Sequence, residues 1–241
     1  MELSFEDFKK RATDNSLSRW EKIGFPDSYR KDSEEMIFSD ISLKTNITKK
    51  DTKVILDIGC GCSDLVDNLI KYCTSTKKEL YLNDSEEMLS NIDLTNDKLI
   101  NLIPGKFPKQ VLSQIENKKF DLIVLYSVIQ YIYNDQNIHS FIHECMTLLN
   151  PGGQLFIGDI PNYDTRERFL ESEEGKIFRR KHYHVDNNMN INHLREERID
   201  DTIVISILSR FRSFGYETYL LPQENTLPMG NRREDILIQK R

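Results

Sequence analysis

The segment VILDIGCGCSDL (54–65) holds the strongest chemical pattern in the chain. An apolar run reaches Asp57, turns through Gly59-Cys60-Gly61 and continues into an amphipathic stretch, which reads as strand, tight turn, helix. Glycines at 59 and 61 allow a sharp turn and a close approach of backbone to ligand. A dinucleotide site would continue to a third glycine at position 64, where this chain has Asp64. A carboxylate there would face the pyrophosphate at a helix N-terminus, a place built for anions. The pattern therefore argues against NAD and FAD. Asp57, just ahead of the glycines, suits instead a ligand carrying an ammonium group. Two turn glycines alone would be structural, so the rest of the chain has to decide.

Candidates for proton transfer lie further on. KHYHVDNN (181–188) sets His182 and His184 around Tyr183, and histidine is the commonest general base near neutral pH. Asp159 closes the apolar run GQLFIGDI and is a second candidate for base or metal ligand. Surface histidines and a loop-capping aspartate are the plainer alternatives. Arg179-Arg180-Lys181 and Arg232-Arg233 are basic clusters in an acidic chain. Guanidinium forks suit phosphate and carboxylate, with solvated charge as the ordinary alternative. WEKIGFPDSYR (20–30) gathers Trp20, Phe25, Tyr29 and Arg30, as a lid over a ligand or as core. Cys60 and Cys62 have no companion cysteines or histidines at zinc spacing, and the 4 cysteines show no secreted disulfide pattern.

The elements that must position these groups alternate. KVILDIG (53–59), ELYLN (79–83), KLINLI (98–103), FDLIVLY (120–126) and GQLFIGDI (153–160) read as strands. Helical patterns follow at 63–73, 85–92, 108–116 and about 136–149. Strands alternating with helices imply a parallel sheet covered on both faces. After a charged, irregular region at 161–199 come a helix over 200–213 and two strands, YETYLL (216–221) and DILIQK (235–240). Their short connection has no helix, so they pair as a hairpin and one of them runs antiparallel to the rest. Two helices precede the first strand, from Ser4 to about Trp20 with a Ser4/Asp7 capping box, and from Asp27 or Ser28 to about Lys44. The expected fold is α/β: a Rossmann-like, seven-stranded, mostly parallel sheet with one antiparallel strand near the C-terminus. Residues 1–50 form a helical cap, and 51–241 form a ligand-binding domain with an insertion at about 161–199 on the substrate side.

With 241 residues, 38% hydrophobic and 30% charged, the chain suits one globular domain with an appendage. A net charge of −6 disfavours a nucleic-acid binder, which needs a basic face. No apolar run approaches the ~18 residues of a membrane span, and the acidic start MELSFEDFKKRATDN does not read as a signal peptide. A cytoplasmic protein is expected.

D-I-G-C-G resembles motif I of class I S-adenosylmethionine-dependent methyltransferases. YLNDSEEML (81–89) is similar to the motif of their second strand, FDLIVLYSVIQYI (120–132) to that of the fourth, and LLNPGGQLFI (148–157) to the segment entering the fifth. The resemblance covers about residues 50–160. It implies S-adenosylmethionine as cofactor, with Gly59, Cys60 and Gly61 beneath it and Asp57 near its amino-acid part. Aligning Ser85 and Met88 with the family motif places Asn83 where the family's acid holds the ribose, with Asp84 next to it. After the third strand the family's adenine-binding aspartate is replaced by Gly105-Lys106, and lysine cannot accept a hydrogen bond, so adenine contacts fall to backbone or apolar groups of Pro104, Gly105, Phe107, Tyr126 and Ser127, with Lys106 also at the cofactor.

Leu125-Tyr126-Ser127-Val128 lacks the Asn/Asp-Pro-Pro-Tyr/Phe of enzymes that methylate amides or exocyclic amines. A small, anionic or sugar-type acceptor is expected, with O-methylation by His182, His184 or Asp159 as base. Tyr29, Arg30, Tyr183, Arg232 and Arg233 are the substrate contacts. GFPDSYRKDSEE and the ending RREDILI are similar to methyltransferases of bacterial surface-polysaccharide (capsule) loci, some acting on a sugar hydroxyl and others on a phosphoramidate. A small-molecule N-methyltransferase and a non-catalytic cofactor-binding regulator are the alternatives.

Overall fold

The computed structural model describes residues 3–94, 97–115, 117–183 and 198–241, the side chains of 182 and 183 excepted. Seven strands form one sheet: β1 (Val54–Ile58), β2 (Glu79–Asp84), β3 (Ile100–Pro104), β4 (Phe120–Tyr126), β5 (Leu149–Pro161), β6 (Glu217–Pro222) and β7 (Arg233–Gln239). Their order is β3-β2-β1-β4-β5-β7-β6, parallel except for β7, which pairs antiparallel with both β5 and β6. The fold is thus the Rossmann-like sheet expected from the alternation. β4 lies at its centre and is apolar almost without break, as a strand covered on both faces must be. The order reverses between β1 and β4, and an open α/β sheet binds its ligand outside the carboxyl ends of the strands at such a point.

The N-terminal segment folds as α1 (Phe5–Thr13), α2 (Arg19–Lys22), α3 (Asp27–Arg30) and α4 (Glu34–Lys44). The Ser4/Asp7 capping box starts α1 as expected, but a second box of Ser18 and Glu21 starts α2, so the helix predicted through Trp20 is divided. Asp14 causes the division: its side chain accepts from the Ser16 N–H and hydroxyl, a local turn that competes with helix. The second predicted helix is broken at Asp32, whose φ is +69°.

Helices α5 (Asp64–Thr76) and α6 (Glu86–Leu89) join α1 and α4 on one face, around Ile37, Ile41, Val66 and Leu69. On the other face, α7 (Ile129–Asp135), α8 (Ile138–Thr147) and α11 (Asp201–Ser213) bury Phe141, Ile142, Ile207 and Phe211. Between them in the chain run α9 (Tyr163–Glu171) and α10 (Glu173–Tyr183). The helix predicted over 108–116 is instead a run of turns across 107–115, held by the buried Phe107, Val111 and Ile115 rather than by a helical ladder. Among the described residues no helix is long and apolar enough to cross a membrane.

Candidate active site

Gly59 and Gly61 turn the chain at the end of β1 with φ of +72° and +65°, the left-handed region that side chains avoid. A Cβ on Gly59 would lie 2.6 Å from Val128 Cγ2, and one on Gly61 would lie 2.7 Å from Ile23 Cγ2. The turn is tied to β2. The N–H groups of Gly59 and Cys60 donate to the Asn83 carbonyl at 2.8 and 3.2 Å. The Gly61 N–H donates to the Asp84 carboxylate at 3.0 Å, and the Ser85 N–H donates to its other oxygen at 2.7 Å. Asn83 donates its amide to the carbonyls of Ile103 and Gly105, at 2.8 and 2.9 Å, which leaves its side-chain carbonyl for a ligand.

These groups wall a cavity of about 280 Å³ at the carboxyl ends of β1, β2 and β4. Gly59, Cys60, Gly61, Asn83, Asp84, Met88, Gly105, Lys106, Phe107, Tyr126 and Ser127 all line it, together with Arg30. Asp57 lies behind the turn and outside the wall. Burial, and then the nearby Asp84 charge, pushes its carboxyl up to about 7. Asp84 is pushed up to about 6 by burial, against the lowering effect of its two N–H donors. Burial also raises the Cys60 thiol well above its ordinary value, so Cys60 is wall rather than nucleophile. Lys106 pairs with Asp135 at 2.7 Å and closes the rim. Phe107 and Phe141 meet edge to face at 5.2 Å, and with Ile58, Val128 and Ile132 they give the cavity an apolar lining. Phe5 and Phe8 of α1 cover the cavity, and Phe8 packs on Tyr131 at 4.9 Å. Sequence reasoning missed these two. Their three-residue spacing behind a capping box was the available signal: an apolar face that needs a partner.

The site continues past Arg30. Its guanidinium lies over the rings of Phe25 and Tyr126, at 4.4 and 5.2 Å, and its Nη2 donates to Ser127 Oγ at 2.6 Å. Ser127 in turn donates to the Asp159 carboxylate. Asp159 lies 4.0 Å from Arg30 and 3.8 Å from Arg233, which also donates to its carbonyl at 3.1 Å. Arg30, Phe25, Tyr126 and Asp159 wall a second, smaller cavity with Ile37, Pro228 and Met229. Ser127, Asp159 and Met229 hold φ near +60° without being glycine; such strain gathers at ligand clamps.

The structure separates the two arginines expected to act together. Arg233 is on the Asp159 cluster, whereas Arg232 lies over Phe178 and Phe169 at 4.5 and 5.3 Å; neither arginine lines a cavity. Arg232 ends the 3-10 turn Gly230–Arg232, and β7 begins only at Arg233. Tyr29 is exposed and also lines neither cavity. His182 and Tyr183 fall at the end of α10 with side chains outside the described residues, and His184 lies outside them altogether.

A protein-family model described as a methyltransferase domain matches residues 56–155, from β1 into β5. Residues 56–155 carry a methyltransferase domain. The protein is an S-adenosylmethionine-dependent methyltransferase, and S-adenosylmethionine is its cofactor. The residues present fit that cofactor: a glycine turn that no Cβ could enter, the Asp84 carboxylate for a cationic ligand, the Asn83 side-chain carbonyl and an apolar lining. The fold is similar to the plantazolicin methyltransferase BpumL in complex with S-adenosylhomocysteine, with 17% identity, 98% of each chain covered and a TM-score of 0.62. It is also similar to the N-methyltransferase NodS from Bradyrhizobium japonicum WM9, at 15% identity over 98% of this chain and 97% of that one, with a TM-score of 0.58. An O-methyltransferase family protein from Burkholderia thailandensis matches at 12% identity over all of this chain and 64% of its own, with a TM-score of 0.53. No curated protein matches the sequence.

Proposed function

We propose that this methyltransferase alkylates a small acceptor held between Arg30, Asp159 and Arg233, with the cofactor in the cavity lined by Gly59, Gly61 and Asn83. The observation that carries the reading is that Arg30, Phe25 and Tyr126 wall both cavities, so the smaller one, about 10 Å³, takes a water-sized group of an acceptor that lies beside the larger. When bound, S-adenosylmethionine supplies an electrophilic methyl group. The chain's part is to hold the acceptor atom in line with it at ~3–3.5 Å and to take a proton. Asp159 is the base in this reading. Ser127 holds one of its oxygens, and Arg30 and Arg233 flank its carboxylate at 4.0 and 3.8 Å. His182 and His184 stay as alternative bases. Asn83 accepts from a ribose hydroxyl, Asp84 holds the glycine turn, and residues 1–50 act as a cap through Phe5, Phe8 and Phe25.

The guanidinium groups favour an acceptor with a phosphate or carboxylate. A sugar or phosphoramidate precursor of a bacterial surface polysaccharide is the finer form of this reading. It rests on the similarity of the GFPDSYRKDSEE and RREDILI segments and on O-methylation. A second reading, N-methylation of a small amine, is favoured by Phe25, Tyr126 and Asp159 in one wall, since aromatic faces and a carboxylate attract an ammonium group.

Incubation with methyl-deuterated S-adenosylmethionine and two acceptor panels, phosphorylated sugars and primary amines, tests the proposal by mass spectrometry. A labelled product that disappears in Asp159→Asn supports it. Full turnover by Asp159→Asn rejects the assigned base.

A further inference from the structure

The ladder between β5 and β7 is irregular where Asp159 stands. Ile157 faces Ile236 and Ile160 faces Glu234, so three steps along β5 meet two along β7. This is a bulge, which leaves one residue out of the ladder and re-aims its side chain. The Asp159 N–H, freed from the sheet, donates to Asp235 Oδ1 at 2.8 Å. Asp235 is completely buried, and Lys44 Nζ bonds its other oxygen at 2.6 Å while also bonding Asp40 at 2.6 Å. Asp159 itself has φ +60°, a conformation an aspartate holds only when its surroundings impose it. An apolar residue in β7 at this place would leave the Asp159 N–H buried without a partner, and a lone carboxylate would be too costly to bury without Lys44.

We propose that Asp235, neutralised by Lys44, is a positioning residue for methyl transfer: it grips the Asp159 N–H across the bulge and so fixes the left-handed backbone that turns the Asp159 carboxylate to Ser127 and Arg30. The proposal rests on the reading of Asp159 as the group facing the acceptor. Asp235 lines neither cavity and reaches the smaller one through its bond to Asp159. Lys44 links this grip to α4, which makes the helical cap part of the same device.

The test uses the full chain and two probes, sinefungin and S-adenosylhomocysteine. Sinefungin carries a protonated amine where the transferable methyl would stand; S-adenosylhomocysteine carries nothing there. Wild type should bind sinefungin tighter than S-adenosylhomocysteine by calorimetry. Asp159→Asn should cut that preference by about tenfold, the loss of one charged hydrogen bond, with S-adenosylhomocysteine affinity unchanged. Asp235→Ala should do the same, whereas Asp235→Asn, which keeps an oxygen for the Asp159 N–H, should retain most of the preference. A structural role alone would weaken both probes together.

If Asp159→Asn loses the preference and a folded Asp235→Ala keeps it, the positioning role is wrong while the reading of Asp159 stands. If Asp159→Asn keeps it, that reading fails and takes the proposal with it. Should Asp235→Ala not fold, hydrogen exchange at the Asp159 amide in Asp235→Asn decides. Protection of the Asp159 amide comparable with the ladder amides of β5, in wild type and Asp235→Asn alike, supports the grip, and exchange there as fast as at an exposed amide in the wild type overturns it.

Discussion

Gly59 gives the account its sharpest mutational test. Alanine at this position must adopt φ near +72°, at a cost of ~1–2 kcal/mol. Its Cβ would also stand 2.6 Å from Val128 Cγ2, well inside the ~3.5–4.0 Å of good carbon contact, which is overpacking worth ~1–3 kcal/mol. Gly59→Ala should therefore lower unfolding stability by about 2–5 kcal/mol. It should also weaken S-adenosylmethionine binding by tenfold or more, because the displaced Val128 is part of the cavity wall. Val128→Ala removes the clashing methyls and leaves the backbone strain. In the double variant the clash part should return, so the two changes should couple by about 1–3 kcal/mol in urea unfolding. Calorimetry on the same three proteins reads the binding side. Strict additivity would show that Gly59 does not approach Val128, and wild-type affinity in Gly59→Ala would refute the glycine turn as the cofactor's seat.

Three further outcomes follow from the site. Asn83→Ala should weaken cofactor binding by about 0.5–1.5 kcal/mol through one lost hydrogen bond, while Asp84→Asn should act mainly through the Gly61 N–H; a larger ribose-dependent loss in Asp84→Asn, measured with adenosine against adenine, would reverse the two assignments. Asp57 and Asp84 are raised to about 7 and about 6 from an ordinary 3.8, so the ligand-free protein should be most stable at low pH on their account and lose that contribution as pH climbs through 6 and 7. A cationic cofactor favours the ionised carboxylates, so binding near pH 6.5 should release protons, detected by calorimetry in buffers of different ionisation heat; proton uptake would contradict the sign. Arg232→Ala should lower the melting temperature by uncovering Phe169 and Phe178 and leave acceptor KM unchanged, whereas Arg233→Ala should raise KM, and the reverse pattern would move the acceptor to the other side of β7.

The sheet and the glycine turn were readable because they rest on local patterns. VILDIG and FDLIVLY are apolar runs of strand length, and a turn at φ near +70° needs glycine whatever surrounds it. The run at 108–116 misled for the opposite reason: Val111, Leu112 and Ile115 have helical spacing, yet they reach the core from a chain of turns. The acceptor end was only half legible. Arg30 read as a substrate contact, but its burial comes from Ser127, Phe25 and Tyr126, partners supplied by a strand end 97 residues away as well as by its own segment. In RREDILI the arginines drew attention and Asp235 did not. Its burial depends on Lys44, and its bond to Asp159 depends on a bulge, neither of which leaves a periodic trace.

Titration of the purified chain with S-adenosylmethionine by isothermal calorimetry tests the central claim most directly, with Gly59→Val as the paired control. The account predicts one site per chain in the wild type and no measurable heat from a folded Gly59→Val protein, whose branched side chain cannot take φ near +72° beside Val128. Equal affinity in the two proteins, or no binding by the wild type at millimolar cofactor, would contradict it.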